Sequence, residues 1–146
     1  MKNDNDLFFT CSLIEYIGRQ QKLRRRKVVD ALGEKVVRRI YRYADVLHSE
    51  PIAEVADTFI RQCEVPTGDF DNVASCHYTV PDYWSIGKVY ERLIEDVMGE
   101  RDVIEVLEEV YHSWISEEIS RYNSDFFYQS REYIAECYRS GEVLMA

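Results

Sequence analysis

The chain has 146 residues, with 46% hydrophobic side chains and a net charge of -9. That is enough apolar surface to build one core without disulfides or metals, and it excludes a chain that is disordered throughout. Only 6 Gly and 3 Pro stand against 11 Tyr, and the charged residues fall at helical spacing. No stretch shows the two-residue alternation of a half-buried sheet, so the fold class is all-α.

Asp4 or Asn5 is placed to cap a first helix reaching about Lys22, with Leu7, Cys11, Ile14 and Gly18 on one stripe. A second helix is expected over Arg24–Leu32 and is ended by Gly33. A third runs from Glu34 to Leu47 on Val36, Val37, Ile40, Tyr41 and Ala44. Ser49-Glu50-Pro51 reads as a capping serine with proline in the first turn of a fourth helix, which reaches Cys63. Residues 64–81 are turn chemistry with no period, a linker whose Val65, Phe70, Val73, Cys76 and Tyr78 should hold it against the core.

The fifth helix spans Asp82–Met98 and is closed by Gly99. Arg101–Tyr122 is the longest periodic run, and nothing in it signals a break, so the rest of the chain is expected to pack around it. Asn123-Ser124-Asp125 then caps a last helix, Phe126–Arg139, and Glu142–Ala146 should be frayed or lightly docked. The expected architecture is about seven helices in a compact bundle. It forms a single domain over residues 1–146, arranged as two closely packed lobes, 4–63 and 82–141.

Met1–Asp6 is polar and acidic, unlike the basic start of a signal peptide, and no apolar run is long enough for a membrane span. The four cysteines are scattered, and three fall on apolar faces. A reduced, cytoplasmic protein away from membranes is expected. The charge is uneven. Arg19–Arg42 holds ten basic residues against Asp30 and Glu34, a local balance of +8, while everything after it is strongly acidic.

Several constellations bear on chemistry. Glu109 and His112 have the spacing of a di-iron ligand pair, and Asp45 with His48 is a looser copy. However, Glu109 and His112 fall on the face opposite Val110 and Trp114, which should be solvent. Cys76-His77 is the one adjacent thiol–imidazole pair. No glycine-rich phosphate loop or nucleophile elbow occurs, so no enzyme activity, cofactor or metal is expected. Arg24–Ala44 has the length and turn glycine of a helix-turn-helix. Arg24, Arg25, Arg26, Lys27, Lys35, Arg38, Arg39 and Arg42 make a candidate patch for anions or nucleic acid. Glu34, Arg39 and Arg42 nevertheless stand where that motif wants buried apolar residues. The aromatic surplus gathers at Tyr122, Phe126, Phe127 and Tyr128, a candidate partner-binding patch beside a polar turn.

Phe8-Phe9, Ile14-Glu15, Val28-Val29-Asp30-Ala31-Leu32 and Ala44-Asp45-Val46-Leu47-His48-Ser49, with Val55 and Ile60, resemble a small uncharacterised helical bacterial domain. Genes of that family stand beside ADP-ribosyltransferase-like proteins. The resemblance covers residues 7–60. Ala44 stands where the family has an aromatic residue, Ser49 where it has threonine, and Arg24–Lys27 is extra. The resemblance implies a bacterial accessory or regulatory protein that acts through a partner. A non-enzymatic interaction or neutralising module, acting on another protein or on a second copy, is therefore the leading expectation. A small nucleic-acid-binding regulator is the alternative.

Overall fold

The computed structural model describes residues 4–145. The readings that touch residues 1–3 and Ala146 lie outside it. Asp4 opens α1 (Asn5–Gln21) by accepting the Leu7 amide at 3.0 Å, and Lys22 closes it in the left-handed conformation. This helix is apolar around most of its circumference, as a helix covered on all sides must be. Leu7, Phe9, Cys11, Leu13, Ile14 and Ile17 are all buried.

The other eight helices among the described residues are α2 (Arg25–Leu32), α3 (Glu34–Arg42), α4 (Ala44–Leu47), α5 (Ile52–Gln62), α6 (Tyr83–Met98), α7 (Val103–His112), α8 (Trp114–Ile119) and α9 (Arg131–Ser140). A 3₁₀ turn, Phe126–Tyr128, precedes α9. α1 packs against α2, α3, α4 and α5, and most extensively against α6, which also contacts α7 and α9. The expected centre, Arg101–Tyr122, is therefore flanking structure, and α1 is the axis. One continuous core joins residues before and after the linker, so the packing does not divide into two lobes. Gly87 makes the α1–α6 approach possible: a Cβ there would lie 2.8 Å from Ser12 Cα.

Three expected helices are interrupted, each for a local reason. Within Arg101–Tyr122, Ser113 adopts an extended conformation and its Oγ accepts the Ile115 amide at 3.3 Å, so a serine cap splits the run. The Glu34–Leu47 run breaks at Tyr43. Ala44 is buried there, and Tyr43 and Val46 face outward. The last helix begins later than expected, because Ser130 rather than the Asn123–Asp125 turn caps it, accepting the Tyr133 amide at 3.2 Å. Ser49 likewise does not cap α5. Its hydroxyl donates back to the Val46 carbonyl, and Pro51 precedes the helix. The tail docks lightly, as expected up to Met145: the Leu144 carbonyl accepts the Tyr133 hydroxyl.

The linker has no regular structure, yet it is held along its length. The Gly68 amide donates to Gln21 O at 2.8 Å, and the Phe70 amide donates to Lys22 O at 2.9 Å. A Cβ at Gly68 would meet Lys22 O at 2.7 Å, so only glycine allows this approach. Val65 and Asn72 are buried, whereas Tyr78, expected against the core, is 71% exposed.

Candidate functional site: an aromatic and basic groove beside Tyr128

The most heavily charged buried point in the molecule lies under the linker. Glu15 faces inward from α1, and Arg25 opens α2 with its side chain wholly buried. Arg25 donates through Nε to Glu15 Oε1 at 2.9 Å, and through Nη2 to Glu15 Oε2 and Asn72 Oδ1, both at 3.0 Å. Arg25 Nη1 donates to Leu23 O at 2.6 Å. Arg19 adds a second guanidinium at 2.9 Å, and the Tyr122 hydroxyl donates to Glu15 as well. Asn72 Nδ2 donates to Ser120 O at 2.9 Å. Burial alone would raise the Glu15 pKa, but the charge and hydrogen bonds of Arg25 and Arg19 bring it down to about 2. Burial beside Glu15 pushes the Tyr122 hydroxyl up, so it stays a donor. This network ties α1, α2, the linker and the turn after α8 together.

Arg25 therefore leaves the expected basic patch: an arginine this deeply paired cannot meet an outside anion. Arg24 pairs with Glu117 and lies over Phe70, and Arg38 is held by Glu34 and Asp102. Arg26, Lys27, Lys35, Arg39 and Arg42 are exposed and form no ion pair among the described residues. Lys35, Arg39 and Arg42 recur at helical spacing along α3, whose Val37 and Ile40 are buried.

The expected aromatic patch is also rearranged. Tyr122 is pulled inward by Glu15, and Phe126 and Phe127 are buried. Only Tyr128 stays out, at 71% exposure. It stands between two concavities. The first, about 480 Å³, lies between α6 and the start of α9. It is lined by Phe8, Trp84, Lys88, Arg92, Tyr128 and Arg131, with Asp82 and Gln129 also on its walls. The second, about 980 Å³ and more open, is bounded by His77, Tyr78, Thr79, Asn123 and Asp125.

The cations of the first groove differ in their freedom. Arg131 is committed to Asp96, at 2.7 and 2.9 Å, and to Glu95. Lys88 Nζ lies 4.3 Å from the centre of the Phe8 ring and 3.0 Å from Glu91 Oε1. Arg92 is exposed and unpaired among the described residues. Asp82, the one acid on the walls, spends Oδ1 on the Ser85 amide at 2.7 Å. Behind Lys88, the Glu91 side chain is fully buried, and the Lys88 ammonium is its one cationic partner among the described residues. Burial, reinforced by Glu95 and opposed by Lys88, pushes its carboxyl up to about 7.

The motifs weighed for chemistry resolve into local pairings. Glu109 pairs with Arg101. His112, expected in solvent, is half-buried and bridges α7 to α2: its Nε2 is 2.6 Å from Asp30, and its Nδ1 is 2.7 Å from Glu108 O. The Asp30 hydrogen bond raises its pKa. No group of three metal-ligating side chains occurs among the described residues. Cys76 Sγ faces the Tyr78 and Tyr122 carbonyls, and among the described residues no hydrogen bond joins it to the exposed His77 side chain. No helix among the described residues is long and apolar enough to cross a membrane.

Comparison with protein-family models, curated proteins and solved structures finds no match.

Proposed function

We propose that this protein is a non-enzymatic interaction module, a regulatory or neutralising protein of a bacterial cytoplasm that binds another protein through the face centred on Tyr128. One observation carries this reading: Tyr128 stands on the walls of two concavities, and Tyr78, equally exposed, also lines the second. Exposed tyrosines beside preformed hollows are the usual anchors of protein interfaces. The arrangement also fits the resemblance noted for residues 7–60, which implies action through a partner.

The test is affinity capture of the tagged chain from its host, with mass-spectrometric identification of what is retained. A near-stoichiometric partner that is lost with Tyr128→Ala supports the reading. A wild-type protein that retains no stable partner overturns it. Self-association through the same face is a variant of the reading, and light scattering that finds a monomer removes it.

A second reading has its own observation. Lys35, Arg39 and Arg42 present a basic stripe on α3 that is unpaired among the described residues, with Arg26 and Lys27 on the helix before it. Such a stripe suits a polyanion such as nucleic acid. A gel shift that weakens with salt, and weakens uniformly in an Arg39→Ala variant, supports it. No salt-sensitive shift removes it.

A further inference from the structure

We propose that the groove between α6 and the start of α9 takes an acidic peptide segment of the partner. A carboxylate of that segment meets Arg92 and Lys88, and a bulky apolar side chain inserts among Phe8, Trp84 and Tyr128. This rests on the interaction reading above and names the chemistry of what that face recognises.

Size comes first: at about 480 Å³ the groove holds a few side chains rather than a domain surface. Charge comes next. Arg131 is occupied by Asp96 and Glu95, but the exposed Arg92 guanidinium has no acid of its own among the described residues. It is a fork suited to bidentate capture of a carboxylate. Lys88 stands beside it over the Phe8 ring, a second charge that it shares with the buried Glu91 carboxyl at 3.0 Å. Asp82, on the same walls, is engaged with the amide of Ser85. The walls between these charges are aromatic. Phe8 and Trp84 stand 5.4 Å apart at a tilt of 46° and are both half-buried, an aromatic wall against which an inserted side chain would pack. The chain after Arg42 is otherwise strongly acidic, so a local positive groove is where an acidic segment would be held.

The same aromatic and basic composition could serve single-stranded nucleic acid, but the layout does not favour it. A phosphate backbone needs a continuous positive track. Across Tyr128 the neighbouring concavity offers Asp125 and His77 and, among the described residues, no lysine or arginine, so the positive charge stops at the groove's edge.

The experiment pans a phage-displayed random peptide library on the full-length protein. The enriched sequences are then measured by fluorescence anisotropy as synthetic labelled peptides. Expected are peptides carrying Asp or Glu near an aromatic or large aliphatic residue. Their affinity should fall about tenfold or more with Arg92→Glu and with Tyr128→Ala, while both variants keep the wild-type melting curve. Enrichment without acidic residues, or peptides indifferent to Arg92→Glu, overturns the proposal. So does displacement of the peptides by an oligothymidylate that binds more tightly and is lost in the same variants, since the groove would then be a nucleic-acid site. If a host partner is captured but survives both substitutions, the groove assignment fails while the interaction reading stands. If no partner is captured, the interaction reading itself fails.

Discussion

Gly18 offers a sharp test of the buried network, because two ordinary rules oppose each other there. Gly18 sits inside α1, where replacing glycine by alanine usually stabilises a helix by about 1 kcal/mol. Here the added Cβ would lie 2.7 Å from Nε and 2.8 Å from Nη1 of Arg25, too close to be accommodated. The guanidinium is pinned by Glu15, Leu23 O and Asn72, so it can yield only by leaving them. That strands the buried Glu15 carboxylate, and breaking such a pair costs about 3–5 kcal/mol. Gly18→Ala should therefore destabilise by about 2–4 kcal/mol once the helix-propensity gain is subtracted. Urea unfolding followed by circular dichroism measures this. The control is the same substitution in a Glu15→Gln/Arg25→Ala background, where the clash and the stranded charge are both gone and Gly18→Ala should be neutral or stabilising. If Gly18→Ala raises wild-type stability, or destabilises both backgrounds equally, the packing of Arg25 against Gly18 does not govern this site.

Three further outcomes are expected. Glu91→Gln should stabilise the protein above pH 7 and change little below pH 4.5, because the native carboxyl keeps its proton to about 7 while the unfolded one releases it near 4.5. The stability that Glu91 contributes is full below 4.5 and lost as the pH rises through 7. That is a difference of about 1–3 kcal/mol, the lower end allowing for screening, read as the pH dependence of the urea midpoint. Glu15 acts in the opposite sense: with its native pKa near 2, its contribution is present above 4.5 and lost as the pH falls towards 2, so Glu15→Gln should flatten the acid limb of the same profile. Thiol labelling of the native protein, mapped by mass spectrometry, should modify Cys63 and Cys76 before Cys11 and Cys137. The latter two are fully buried and should react only on unfolding; burial also raises the Cys11 pKa.

How far the sequence could be read depended on the range of each interaction. The helical class, the cap at Asp4, the helix from Tyr83 to Met98 and the close of α2 at Gly33 follow from spacing and capping chemistry, which act over a few residues. The break at Ser113 was within reach, since a serine in mid-run is a competing cap, but the apolar period continues through it and hides the kink. The fate of the aromatic cluster was not legible. Tyr122 is drawn inward by Glu15, 107 residues earlier, and no local pattern carries that demand. Arg25 reads as one more member of a basic run and becomes the most deeply paired cation in the molecule for the same reason. One signal was present. Phe8, Phe9, Cys11, Leu13, Ile14, Tyr16 and Ile17 spread beyond a single stripe, and a helix apolar on every side belongs at a centre. The groove beside Tyr128 joins the first turns of α1 and α9 to three turns of α6, so its members become neighbours only once these helices have packed.

The central place of α1 has a consequence for how the chain is made. α1 ends at Gln21 and its principal partner α6 starts at Tyr83, so on the ribosome the central helix is finished long before the surface that covers it. At about 5–20 residues per second, that interval lasts several seconds. During it α1 has only α2 to α5 to lie against, and its α6-facing side, with Ser12 waiting for Gly87, stays open. Nascent chains of this protein should accordingly engage a holding chaperone until α6 emerges. A version stopped in the 64–81 linker should aggregate rather than persist as a soluble half.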